Sequence, residues 1–353
     1  MIKKVTWSLG LFSIMSLEAG VFSEALSNST TEGQVRFGAV EIEDEEGEKS
    51  STVALGGSLG VKTAPINGLR VGATFYTTNA LFGKNNEGMF LDANKQSYSI
   101  VGEAYLEANL GKTSIKAGRQ RIETPYADSD DIGMIPNTFE GVTLINQDIK
   151  DTTLIFASLD KWSGVDSDRP QEFTNLQASG DALLMAGVLY EGVKNTTLQA
   201  SHYKLDNANF NYIEAGYETE RFNVGIQYTT QESDNTAFGL QAGITIGNLI
   251  LNTAYNRVNG IVRNGFGGGP FFTSAEDHTI EIDERDEEGI LLSAEYSLEK
   301  LTLLVSHANF EKGENDTDYI MNYDVNDNHA LTLIYSDMYD DGTMVRFFAN
   351  YNF

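Results

Sequence analysis

The side chains best placed to act on a solute are cations on the polar faces of alternating segments: Arg36, Lys62, Arg70, Lys116 and Arg346. Carboxylates share such faces at Glu103, Glu107, Glu214 and Glu295. A third group lies in one unusual passage, "RQRIETPYADSDDIGMIPNTFEG" (119–141). It holds Pro125 and Pro136, two of only 5 prolines, together with Asp128, Asp130 and Asp131. Prolines fix φ and reduce a loop's freedom, as a loop held in one position requires. Cations facing carboxylates across a narrow low-dielectric gap set up a transverse field, which orients dipolar solutes and admits small zwitterions or carboxylates. That is steering chemistry, with no bond made or broken. The four histidines (His202, His278, His307, His329) fall on different segments beside no nucleophile motif, so no catalytic site is expected. With 0 cysteines, neither a disulfide nor a thiolate metal site can form. The acidic runs "EIEDEEGE" (41–48) and "EIDERDEEG" (281–289) lack calcium-loop oxygen spacing and read as solvated loops. No metal site and no cofactor are expected.

Something must hold these charges on one side of an extended chain. From residue 33 the sequence alternates with period two. "TVALGGSLGVK" puts Val53, Leu55, Leu59 and Val61 on one face, and "SYSIVGEAYLEANL" puts Tyr98, Ile100, Ala104, Leu106, Ala108 and Leu110 on one face. Strands are expected near 33–42, 52–62, 68–78, 96–110, 113–121, 139–146, 152–160, 181–191, 195–204, 209–219, 221–231, 236–247, 249–258, 288–298, 301–310, 317–323, 329–337 and 343–353, about eighteen in all. Connections alternate between tight ("APING", "GKT", "GN", "EK") and long, often acidic ones. Aromatic residues end the apolar faces, with Tyr190, Tyr217, Phe222, Tyr296, Tyr351 and Phe353 toward one rim and Phe75, Tyr98, Tyr228, Phe238, Tyr255 and Tyr335 toward the other. Ten residues tilted by roughly 45° rise about 23 Å, which matches a membrane's apolar thickness. The expected fold is all-β: a closed antiparallel transmembrane barrel with short periplasmic turns and long outside loops.

Composition agrees. There are 51 acidic against 24 basic residues, a formal charge of -27, so no nucleic acid is expected as a partner. "MIKKVTWSLGLFSIMSLEAGVFSEA" has a basic start, a short apolar stretch and small residues. It reads as a signal peptide over 1–20 with cleavage within 19–25, too short for a membrane anchor. A periplasmic segment is expected over 21–32, and a barrel over 33–353 whose third loop (122–138) folds inward. A barrel of this size is wide enough for a water-filled lumen. Strict alternation after Ile115 and Ala117 sends Arg119 and Arg121 toward lipid. A bulge at Gly118 turns them inward, and the expectation is that both face the lumen or the loop base.

The segment "AGRQRIETPYADSDDIGMIPNTFEGVTL" (117–144) resembles the corresponding part of OprD-like outer-membrane porins, where a Gly-Arg/Gln strand end runs through a Thr-Pro loop to a Pro-x-x-Phe-Glu strand start. "FSEALSNSTTEGQVRFGAVE" (22–41) and the terminal Phe353 are similar as well. The resemblance implies an eighteen-stranded porin whose third loop faces a ladder of basic residues guiding carboxylate-bearing solutes. Arg36, Arg70, Lys116, Arg121 and Arg346 would serve as that ladder. The family often carries an arginine after the loop's Asp-Asp, where this chain has Ile132 and Gly133. The last strand, ending Tyr351-Asn-Phe353, resembles the signature read by the barrel insertion machinery. Expected partners are outer-membrane lipid and lipopolysaccharide, that machinery and small solutes, with the chain a monomer or a loose trimer. The other reading is a non-conducting structural or adhesin-type barrel.

Overall fold

The computed structural model describes residues 19–84, 88–206, 208–232, 235–280, 285–313 and 315–353. The expected signal peptide therefore lies almost wholly outside the described residues. A short helix, Ala19–Ser27, comes first, and the Ala25 carbonyl accepts the Ala64 N–H at 3.1 Å. The extended chain starts at Thr30, three residues earlier than expected.

Eighteen long strands follow among the described residues: β1 Thr30–Glu43, β2 Lys49–Lys62, β3 Leu69–Lys84, β4 Tyr98–Leu110, β5 Thr113–Gln120, β6 Thr138–Asn146, β7 Thr152–Ser163, β8 Leu183–Val193, β9 Thr196–Leu205, β10 Ala208–Glu218, β11 Phe222–Gln231, β12 Asn235–Ile246, β13 Leu249–Asn259, β14 Glu288–Leu298, β15 Leu301–Phe310, β16 Asp316–Asn326, β17 His329–Asp337 and β18 Thr343–Asn352. Each pairs antiparallel with the next, and β18 returns to β1, with Arg36 opposite Asn350 and Val40 opposite Arg346. The ring is closed, so no sheet edge is left with unpaired backbone groups, the condition for crossing hydrocarbon with strands. β16 runs past the expected 323 to Asn326, because a shift in pairing between Asp324 and Asn326 absorbs polar residues that read as a turn.

Alternation assigns the two faces. Val35, Leu59, Val71, Leu106, Val142, Ile213, Ile226, Leu240, Leu251 and Leu292 are exposed on the outside, where lipid would cover them. Their polar neighbours, such as Ser58, Glu107, Gln227, Gln241 and Asn252, turn inward. The outer aromatics fall as expected at Tyr217, Phe222, Tyr296, Tyr351, Phe75, Tyr228 and Tyr335, all exposed.

Tyr98 does not. The pairing of β3 with β4 slips at Gly102, from Thr74–Glu103 to Phe75–Val101. This bulge reverses the faces: Tyr98 and Ile100 point inward, while Ala104, Leu106, Ala108 and Leu110 point outward. A Cβ on Gly102 would lie 2.8 Å from the Tyr76 ring. The expected single face from Tyr98 to Leu110 is thus wrong, because period two does not survive an inserted residue.

Neighbouring positions in β12 should separate lipid from water. Leu240→Arg should cost about 2–4 kcal/mol by chemical denaturation in liposomes, whereas Gln241→Arg should cost less than about 1 kcal/mol. Equal costs would mean the faces are misassigned.

Candidate functional site

Arg36, Lys62, Arg70, Lys116 and Arg346 stand on inward faces in one sector of wall, formed by β1 to β3, β5 and β18. Their charges are more heavily paired than expected. The Arg36 guanidinium donates to both Asp131 oxygens at 2.7 and 2.9 Å, to the Gly133 carbonyl at 2.7 Å and to Asn350 at 3.0 Å, and lies 5.4 Å over the Phe348 ring. Asp131 therefore clasps the wall directly and does not oppose it across a gap. Such a bidentate, charge-assisted pair is a strong anchor.

Lys62 reaches Glu107 at 3.0 Å, and Arg70 stands beside the same Glu107 in register. The Lys116 ammonium sits 4.5 Å from the Tyr105 ring centre. Glu103 accepts the Tyr76 hydroxyl at 2.9 Å. Glu103 and Glu107 are thus interleaved with the cations. Glu214, which accepts the Tyr212 hydroxyl at 2.6 Å, and Glu295, beside Ser297, occupy other parts of the ring.

Arg119, expected to face the lumen or the loop base, and Arg346, expected in the ladder, both differ from expectation. Arg119 pairs in register with Ala104 and Glu140 without a shift at Gly118, so it lies on the outer face. There it bonds Glu140 at 3.1 Å and is covered by the Phe173 ring, 4.2 Å from the guanidinium carbon. Gly118 makes no bulge; its φ of +121° brings the backbone so close to Ala104 that a Cβ would lie 2.2 Å from that carbonyl oxygen. Arg346 does point inward, but it is 0% exposed and donates to Glu276 at 3.2 Å and Asp277 at 3.0 Å. No solute can touch it. Arg121, beyond the end of β5, keeps 45% of its side chain exposed, with Glu123 at 3.9 Å. It borders a cavity of about 440 Å³ together with Arg36, Tyr76, Glu103, Asp131 and Pro136.

The proline-bracketed segment is built from both ends. Glu123–Thr124 and Ala127–Asp128 pair as a minimal hairpin around Pro125 and Tyr126. Tyr126 is buried edge-on against the Tyr203 and Phe210 rings, with centroids 5.4 and 5.2 Å away, and donates its hydroxyl to Thr229 at 2.7 Å. At the other end Met134 and Ile135 are buried with Val40, Ala54, Phe90 and Phe348. Thr229 belongs to β11 and Val40 to β1, which stand on opposite sides of the ring. The segment is therefore fastened to opposite walls at inward-facing positions.

Sequence reasoning missed its second support. Residues 260–280, part of the long outside connection after β13, reach down to it: Phe266 donates its N–H to the Tyr126 carbonyl at 3.1 Å and accepts from Asp128 N–H at 2.8 Å. "GFGGGP" (265–270) was the available signal. A Cβ on Gly265 would fall 2.5 Å from the Tyr126 oxygen, and its φ of +84° is a conformation glycine adopts without strain.

Among the described residues neither Asp128 nor Asp130 forms an ion pair, although the Arg121 charge acts on Asp128. Burial first, then the charges of Asp166 and Asp128, push the Asp130 carboxyl up to about 6. Burial and Glu123 raise Asp128 in the same direction.

Known proteins agree with this architecture. A family description, "outer membrane porin, OprD family", matches residues 83–266. Among solved structures, Pseudomonas aeruginosa OpdK with vanillate superposes with a TM-score of 0.81 at 16% identity, covering 93% of this chain and 99% of that one. A BenF-like porin from Pseudomonas fluorescens Pf-5 gives 0.81 at 16%, with the same coverage of 93% and 99%. Acinetobacter baumannii OccAB3 gives 0.78 at 14%, again over 93% and 99%. No curated protein matches the chain. The fold is shared with these structures and the family match spans more than half of the sequence; the chain belongs to the OprD family of outer-membrane porins.

Proposed function

We propose that this porin is a passive diffusion channel for small hydrophilic solutes, including carboxylate-bearing or zwitterionic nutrients, and that residues 122–138 narrow its lumen. The observation that carries the reading is the cavity where Arg36, Arg121, Glu103 and Asp131 meet beneath a loop tied to both walls. Inward faces this polar would be costly in a dry core, several kcal/mol for each unpaired group, so the lumen holds water. With Arg36 and Arg346 closed by carboxylates and Arg119 outside, the cations left to guide a carboxylate are Arg121, Arg70, Lys116 and Lys62. Vanillate, held in the structure of OpdK, is itself a carboxylate. The field at the narrow point comes from Arg121 and its neighbours acting against Asp128 and Asp130.

Export by a cleaved signal peptide fits the same reading. Cleavage beside Ala19 or Gly20 would keep the Ala25–Ala64 contact, whereas cleavage after Ala25 would lose it. The outward row Val345, Phe347, Ala349, Tyr351 and Phe353 would present the insertion signature.

In planar bilayers the folded protein should give stepwise conductance, and deleting 126–134 should enlarge each step. An unchanged step would mean the segment does not limit flow. Replacing Arg70 and Arg121 by Ala should move selectivity toward cations by roughly a few-fold in permeability ratio. No shift would remove these residues from the conduction path. Below pH 6 Asp130 and Asp128 become neutral, and above it they carry negative charge. Cation preference should therefore fall as pH drops from 7.5 to 5, with a midpoint near 6, and Asp130→Asn should flatten that step. A flat profile in the parent protein would contradict it.

A further inference from the structure

Beside Arg346, under the 260–280 segment, sits a second cluster that the channel reading does not use. Asp316 and Asp318 open β16, both 0% exposed and both turned inward. Glu276, Asp277 and His278 of the loop close over them. One carboxylate oxygen from each of Asp277, Asp316 and Asp318 lies within 4.8 Å of the other two. Asp318 is well supplied with donors, namely Glu276 N–H at 3.1 Å, Ser306 at 3.3 Å and Ser336 at 2.7 Å. Asp316 is not. Its Oδ2 accepts Asp277 N–H at 3.2 Å and lies 3.7 Å from His278 Nδ1, while its Oδ1 is buried with no hydrogen-bond partner.

A bare carboxylate oxygen in a buried cluster of like charges is unfavourable unless a cation satisfies it. Arg346 pairs through Nη2 with Glu276 and Asp277, its Nε and Nη1 are buried without a partner, and no hydrogen bond from it reaches Asp316 Oδ1. We infer that Asp277, Asp316 and Asp318 bind a calcium ion that fastens the 260–280 segment to the barrel wall. The chemistry suits calcium: it is a hard cation that takes carboxylate oxygens at about 2.3–2.6 Å in flexible geometry, and three carboxylate oxygens within 4.8 Å of one another can share one such ion. Magnesium demands shorter bonds and regular octahedral geometry. The ligands come from a loop and a strand some forty positions apart, with no local spacing signature for a sequence reading to find.

The ion would close a chain of contacts. The same loop supports Tyr126 and Asp128 through Phe266, so a tie at Asp277 bears on the third loop as well.

The full-length folded porin in detergent, stripped with chelator and dialysed, should take up one calcium ion per chain with saturable affinity and melt at a higher temperature when loaded. Asp316→Asn and Asp277→Asn should each weaken uptake by at least about tenfold. Glu45→Gln with Glu46→Gln, in the acidic β1–β2 loop, should not. Asp277→Asn lies in the loop and leaves Glu276 paired with Arg346, which keeps the test open should Asp316→Asn fail to fold. Absence of saturable uptake by the parent protein would overturn the inference, as would uptake unaffected by Asp277→Asn.

Discussion

The pairing of β1 with β18 is the constraint on which the rest depends. In hydrocarbon an unpaired N–H or C=O costs several kcal/mol, so a sheet can cross only if its first strand meets its last. Here the seam runs from Gln34 opposite Asn352 to Glu43 opposite Thr343, and is extended by reciprocal bonds of 2.9 and 3.0 Å between Gly33 and Phe353. Gly33 leaves room there for the Phe353 ring, whose edge would lie 2.4 Å from a Cβ at that position. Once the ring closes, inside and outside follow residue by residue. An alternating sequence can then keep Leu240 toward lipid and Gln241 toward water.

The lumen is organised by apolar docking as much as by charge. Three buried clusters line the inner wall. One gathers Tyr126 onto Tyr203, Phe210 and Tyr212; another gathers Met134 and Ile135 onto Val40, Ile100 and Phe348; the third gathers Val262, Phe271 and Ile280 onto Ala237, Val258 and Phe310. Each removes apolar side chains of a loop from water against the inward face of a strand, the ordinary driving force of a protein core placed inside a barrel. The ion pairs then fix position. Arg36 with Asp131 sets where the third loop meets β1, and Arg346 with Glu276 and Asp277 sets where the long loop meets β18.

This division explains what could be read in advance. Strand number, closure and the lipid face depend on period-two alternation and turn lengths, which are local in sequence; nearly every strand falls where alternation places it. Local regularity fails where one residue is added. Gly102 turns Tyr98 and Ile100 inward; a lone glycine in "SYSIVGEAYLEANL" permits a bulge without requiring one, as the unbroken pairing at Gly118 shows. The converse misreading concerned Gly118, where a bulge was invoked to bring Arg119 inward and the pairing runs through unbroken. The charges were harder still. Arg346 faces the correct side, yet its burial depends on Glu276 and Asp277, about seventy residues away. Inward direction is a property of the strand, whereas access to solute is a property of the loop above it.

The central claim is that solutes pass the water-filled space bordered by Arg121, Arg36 and Asp131. The chain lacks cysteine, so Arg121→Cys places a single thiol in the whole protein. Single-channel current should be recorded while a charged, membrane-impermeant thiol reagent is added. The account predicts an abrupt, lasting fall in current at each modification event. An unaltered current, with mass spectrometry showing complete modification, would contradict it.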